Sequence, residues 1–439
     1  MNDKTIFKVK KIIKNWPAYR KFVENSAIDL SKIKNLTDLP ILDRQFIANA
    51  IHTVPLVKVR NIVPSSGSTG ADFSFGLFGD IEMRKTLTAI EEFLGNRFNT
   101  KNKKTLLLNL LPGAISLQSS TVSVASIGVR MDTAISAIKT LGSSFEQIIL
   151  VGEPLFIKNL VEYGQQQSIF WKYMPLFIMV GGEWISESYR NYLEGMVCYQ
   201  RVYSSMGMAE LGLNYFYETD ETVMLRHLLF QDRHLLKMLL GEIDFCPMLF
   251  VYDEDEIFVE TVKEHGDALE SILLTTVDSE RILPLIRYKS GDKGKILSRL
   301  AINKALIAAG YMELQSTTGP PLLAHFGRGK SIRGIYPEKI KEIIYSSDVI
   351  ASSTTGNFLL SNGGDIAKLE VQLKQNVHSD FILENMYRNA FHGLPVHIKL
   401  YSFEIFPNPL DFERKVQYVF EGVSCKKRKG EKTELSIEV

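Results

Sequence analysis

The sequence predicts an α/β protein: a large N-terminal α/β domain with parallel sheets and an appended β-rich region, then a small C-terminal α+β domain. Three observations carry this expectation. Between residues 105 and 196, short apolar runs of strand length alternate with segments of helical spacing, and continuously apolar strands suit parallel sheet covered on both faces. From about residue 245 the texture changes to short β-rich runs separated by acidic turns. A Gly-rich basic stretch, Gly327-Arg328-Gly329-Lys330, then sets off a last segment of mixed helix and strand. The 439 residues suffice for both units, placed at 1–327 and 328–439.

Residues 1–60 read as mostly helical and polar, with Leu39-Pro40 and Leu42-Asp43-Arg44 turning into a helix start. A Ser/Gly stretch follows a short apolar run at 61–64 and precedes an amphipathic helix at 81–94. Residues 105–111, 147–151 and 176–180 read as strands. Helices are expected at 133–145, at 154–165 with Pro154 in the first turn, and at 186–196 with Ser186 as N-cap. The β-rich region offers runs at 248–252, 256–262, 271–276 and 285–288. The last segment reads as a helix at 337–345, strands at 366–373 and 396–403, and a helix between those strands.

Composition narrows the function. Apolar and charged fractions of 45% and 23% are ordinary for a globular chain. A net charge of +1 gives no field that favours nucleic acid or a membrane surface. Cys198, Cys246 and Cys425 lie far apart and form neither a zinc spacing nor a disulfide framework. Met1-Asn2-Asp3-Lys4 opens no apolar signal core, and no apolar run reaches membrane-spanning length, so a cytoplasmic protein is expected.

The residues richest in chemistry are Ser65, Ser66, Gly67, Ser68, Thr69 and Gly70. Glycines let backbone approach an anion, and amides and hydroxyls can donate to its oxygens; the same composition also suits a flexible loop. Four further stretches follow in order. They are Gly181-Gly182-Glu183-Trp184 after a strand, Met206-Gly207-Met208-Ala209-Glu210, Ile286-Arg287-Tyr288-Lys289-Ser290-Gly291-Asp292, and Phe326-Gly327-Arg328-Gly329-Lys330 leading into Gly334-Ile335-Tyr336-Pro337-Glu338. Gly329-Lys330-Ser331 is not a P-loop, because Ala324 stands where that motif needs glycine.

Taken together, from about residue 40 onward, the five stretches resemble the adenylate-forming superfamily, and most closely its phenylacetate–CoA ligase-like branch. The resemblance implies ATP-dependent activation of a carboxylate to an acyl adenylate, then transfer to a thiol of coenzyme A or a carrier protein. It implies ATP and Mg2+ as cofactors, and coenzyme A where that is the acceptor. By the same resemblance, residues 65–70 would hold the β- and γ-phosphates and Gly181, Gly182 and Glu183 would flank adenine. Met206 and Gly207 would stand where an aromatic–glycine pair packs on the base, with Tyr203 as a substitute aromatic surface. Glu210 would bind the magnesium, since a hard cation among phosphates suits a carboxylate. Asp292 would accept from both ribose hydroxyls. Arg328, near the ribose and α-phosphate, and Lys415, brought by the small domain, would be the catalytic cations. Lys330 falls at the expected hinge of a mobile lid.

Two departures qualify this reading. Ala71-Asp72-Phe73-Ser74 stands where the family usually carries a lysine, and Ala209 where it carries Ser or Thr. A rival expectation is therefore a degenerate member that binds ATP, AMP or acyl adenylate without efficient turnover; another is an acyl-protein synthetase that transfers to a protein thiol. Apolar residues in 109–128, where relatives build the acyl pocket, predict an aryl or fatty acid. Relatives are often homodimers, so the resemblance implies one here.

Overall fold

The computed structural model describes residues 3–26, 28–64, 75–112, 117–278, 280–315 and 319–420. Its spine is a six-stranded sheet in the order Ser123–Ser126, Thr105–Leu110, Gln147–Gly152, Leu176–Gly181, Val202–Met208 and Gly212–Tyr217. The first five strands are parallel and the last returns antiparallel. Each expected strand falls within a residue or two of its place, because runs such as Leu106-Leu107-Leu108 are apolar on both faces. Alternation divides these residues between two cores. Leu106, Leu108, Ile148, Leu150 and Ile178 pack on the face that holds the crossover helices Met131–Leu141, Pro154–Gln166 and Glu187–Met196. Leu107, Ile149 and Met179 pack on the other face, against Leu94 and Phe98 of helix Asp80–Phe98. Pro154 opens its helix as expected, and Ser186 caps the next by accepting from the Tyr189 amide at 3.0 Å.

The β-rich region forms a five-stranded antiparallel sheet: Ile257–Val262, Ser271–Thr276, Tyr288–Leu297, Leu322–His325 and Met248–Phe250. The run expected as a strand at 285–288 is instead mostly buried coil. Leu285 and Ile286 are apolar because they fill the core, and Ile286 seats against the N-terminal helices Asp3–Asn15 and Pro17–Asn25. The Tyr19 hydroxyl ties this coil down, donating to the Pro284 carbonyl at 2.9 Å and accepting from the Ile286 amide at 3.1 Å.

A third sheet, in the order Val396–Tyr401, Ala367–Leu373, Thr354–Asn362 and Val419–Phe420, carries helices Asp348–Ser353 and Phe381–Ala390. Together with helix Pro337–Tyr345, it makes up the α+β part of the chain. Its core is continuous with that of the six-stranded sheet, and the Tyr345 ring meets Tyr189 with centroids 5.0 Å apart. No helix among the described residues is long and apolar enough to cross a membrane.

Candidate active site

The parallel strands point their C-terminal ends at a cleft of about 1540 Å³, in the position where open α/β sheets commonly bind ligands. Gly181, Gly182 and Glu183 close one strand over it, and Met206, Gly207 and Glu210 come from the end of the next. Gly181 sits in register with Ser205. Gly182 has φ +87°, and a Cβ there would lie 3.0 Å from the Glu153 carboxylate. Val63 and Pro64 also line the cleft; the expected phosphate loop, Ser65 to Gly70, and its sequel 71–74 lie outside the described residues.

Asp292 reaches the cleft through a bulge. Ser271 pairs with Lys293 and Leu273 with Lys289, so three residues of one strand, Ser290, Gly291 and Asp292, oppose Ile272 alone on the other. Gly291, at φ +84°, absorbs the turn. The local sequence reads as a simple turn; pairing on both sides makes it a bulged strand that re-aims Asp292. Burial alone would raise the Asp292 carboxyl, but His325, Arg328 and Lys415 outweigh it and hold the group below the usual carboxylate range. Arg328 Nε lies 3.2 Å from Asp292 Oδ1, and His325 Nε2 lies 3.9 Å from Oδ2.

Glu210 sits in the turn after strand Val202–Met208, nearly buried, and accepts from the Tyr288 hydroxyl at 3.1 Å. Among the described residues no group of three or more His, Cys, Asp or Glu gathers to hold a metal. One carboxylate beside a phosphate-sized space therefore fits magnesium only if the polyphosphate supplies the other oxygens, a sharing that suits this ion.

Lys415 lines the cleft from the far C-terminal side, with Glu413, Arg414 and Tyr418. Next to it, burial pushes Glu153 up to about 7, with Lys415 opposing the shift and Glu183 and Glu413 adding to it. The Glu183 side chain is committed elsewhere, to Lys341 at 2.5 Å, and that ammonium also lies 4.1 Å from the Tyr418 ring centroid. Gly327, at φ +78°, packs so closely under Glu338 that a Cβ would collide with its carboxylate. Burial lifts the Glu338 carboxyl to about 7 from 4.5, partly countered by Lys341.

A raised carboxyl favours folding while protonated. The stability is complete below the unfolded value of about 4.5 and is lost as pH rises through 7. Glu338→Gln should therefore gain on wild type by on the order of 3 kcal/mol between pH 4.5 and 8, measured by urea unfolding at each pH. Equal pH dependence in the two proteins would refute this.

The structure thus brings Gly181, Gly182, Glu183, Met206, Gly207, Glu210, Asp292, Arg328 and Lys415 to one cleft. Tyr203 is a correction. It stands three residues before Met206 on one strand, so the two side chains point to opposite faces. Its ring is buried in the core under helix Asp80–Phe98, with the Arg97 guanidinium 3.9 Å from its centroid, and cannot flank a base. Sequence reasoning missed Glu153 and His325, and included Tyr288 in a motif without giving it a role. Glu153 was findable as the residue that follows a fully apolar strand at its C-terminal end. His325 lies on a strand of four residues whose partners among the described residues are remote in sequence.

No protein-family model matches the chain, and no curated protein sequence matches it. Solved structures do. 2-Hydroxyisobutyryl-CoA ligase in the postadenylation state, in complex with R3-HIB-AMP, aligns with a TM-score of 0.66 at 16% identity, covering 96% of this chain and 89% of that chain. The open conformation of that ligase, in complex with 2-HIB-AMP and CoA, gives 0.56 at 16% identity, covering 96% and 91%. Its thioesterification state gives 0.55 at 15% identity, covering 95% and 89%. The chain has the fold of this ligase, the α/β architecture with added sheets that the sequence predicts.

Proposed function

We propose that the protein activates a carboxylic acid with ATP to an acyl adenylate and then passes the acyl group to a thiol. One observation carries this reading: residues from five separate stretches between Gly181 and Lys415 line a single cleft at the strand ends. The fold shared with a CoA ligase supports it. On this reading residues 328–439 form a small lid domain, and Lys415, which lines the cleft, is the cation it contributes.

In the first step an oxygen of the substrate carboxylate attacks the α-phosphorus of ATP. The new acyl–phosphate bond forms as the bond to the β-phosphate oxygen breaks, and pyrophosphate leaves with that electron pair. The chain's part is positioning and charge. Asp292, held ionised, accepts from the ribose hydroxyls, and Arg328 lies beside it. Lys415 meets the negative charge that builds between carboxylate and α-phosphate. Glu210 would hold magnesium together with the polyphosphate; the ion would neutralise phosphate charge. In the second step a thiolate, of coenzyme A or of a carrier protein, attacks the acyl carbon and AMP leaves.

Asp292→Ala should weaken AMP binding roughly 10²- to 10⁴-fold, since it removes a charged acceptor for two hydroxyls, each charged hydrogen bond contributing about 1.5–3 kcal/mol. Isothermal titration with AMP measures it. Unchanged affinity in a folded variant would place the nucleotide elsewhere.

A further inference from the structure

The cleft does not end at the nucleotide residues. It continues beneath helix Asp80–Phe98 into the second apolar core. Met83, Leu87, Ile90 and Leu94 line the cleft at spacings of four, three and four, so one stripe of the helix forms a wall about 16 Å long. The opposite wall is sheet. Val151 and Met179 are register partners on adjacent parallel strands and both line the cleft. Met179 shares a strand face with Gly181, two residues and about 7 Å away. The apolar arm therefore begins within one residue pair of the strand end that faces the nucleotide.

Ile90, Phe93, Leu94, Leu107, Val151 and Met179 belong at once to the apolar core under the helix and to the wall of the cleft. That core is thus left open along one side, where a close-packed interior would have filled it. A volume of about 1540 Å³ also exceeds the roughly 300–1,000 Å³ typical of a site for one small molecule.

We propose that this arm receives the hydrocarbon chain of an unbranched aliphatic acid of medium to long length, with its carboxylate at the Gly181 end. The proposal rests on the adenylating reading for its carboxylate end, and it names the substrate class within that reading. A wall of about 16 Å accommodates an extended ten-carbon chain, which spans about 11 Å at a zigzag advance of about 1.25 Å per carbon, with room for about three carbons more. A small hydroxy acid or a single aromatic ring would leave most of the arm empty.

The test pairs turnover with binding across acetate, hexanoate, decanoate and benzoate. With ATP present, kcat/KM for pyrophosphate release should rise up to about fourfold per added methylene as far as decanoate. Decanoate should exceed benzoate. Leu87→Trp, midway along the wall, should reverse the preference between decanoate and hexanoate. Titration with the same acids in the presence of AMP, which needs no turnover, separates the two claims. Chain-length-dependent binding without pyrophosphate release would keep the arm and overturn the ligase reading. Release with acetate or benzoate, no gain with chain length and no effect of Leu87→Trp would overturn the arm and keep the ligase. Neither binding nor release with any alkanoate would overturn the proposal as well.

Discussion

Lys415→Ala should lower carboxylate-dependent pyrophosphate release roughly 10²- to 10³-fold, the loss typical of removing one preorganised stabiliser of transition-state charge. The residue is half-buried, lines the cleft, and lies close enough to Asp292 and Glu153 to pull both carboxyls downward. Its neighbour Arg414 makes the comparison informative. Arg414 is 82% exposed and paired to Asp411 at 3.6 Å, so its charge is largely screened. Arg414→Ala should therefore cost less than threefold, near the lower end expected for an exposed pair. AMP should still bind Lys415→Ala, because the ribose and adenine contacts come from other elements. Equal losses in the two variants would show that the lysine has no privileged position.

Glu218→Ala should destabilise the protein by about 3–5 kcal/mol, the usual cost of stripping one partner from a buried ionic network. Glu218 is fully buried and holds the Arg190 guanidinium through both carboxylate oxygens at 2.7 and 2.8 Å; Arg226 approaches at 3.3 Å. Glu187 completes the group, 3.0 Å from Arg190 and 3.1 Å from Arg226. Without Glu218, two buried guanidiniums would share a single carboxylate. The network also fixes the backbone that carries the site. Arg226 donates to the Ile185 carbonyl, just after Gly181-Gly182-Glu183, and Arg190 to the Val202 carbonyl. Glu218 accepts from the Ser204 amide at 2.7 Å, two residues before Met206. AMP affinity should therefore fall along with the urea midpoint. A variant of wild-type stability would mean that the arginines are satisfied without it.

The sequence carried the parallel core and the site residues for different physical reasons. Strands such as Thr105–Leu110 are buried on both faces and announce themselves as unbroken apolar runs. Site residues stood out because glycines with unusual backbone and charged side chains in short order have few structural explanations. What stayed hidden depended on partners remote in sequence. Strand Thr354–Asn362, not expected from the sequence, opens on the polar residues Thr354, Thr355 and Asn357; they are buried against Gln372, the Thr354 hydroxyl donating to its carbonyl at 2.6 Å and the Asn357 amide to its side-chain oxygen at 3.1 Å. Tyr203 was misplaced because proximity along the chain was weighed above strand alternation. The apolar wall on helix Asp80–Phe98 needs the register of Val151 with Met179, which no local pattern encodes. Ser65 to Gly70, the most suggestive stretch of the sequence, lies outside the described residues together with 71–74, as do 113–116 within the segment expected to form the acyl pocket.

Adenylation is tested most directly by pyrophosphate release by the full chain with ATP, magnesium and decanoate, with and without coenzyme A. Release should depend on the acid, fall steeply with Lys415→Ala, and turn over repeatedly when the accepting thiol is supplied. Folded protein that binds AMP yet releases no pyrophosphate with any alkanoate or aryl acid would contradict adenylation, and would identify a nucleotide-binding protein without ligase chemistry.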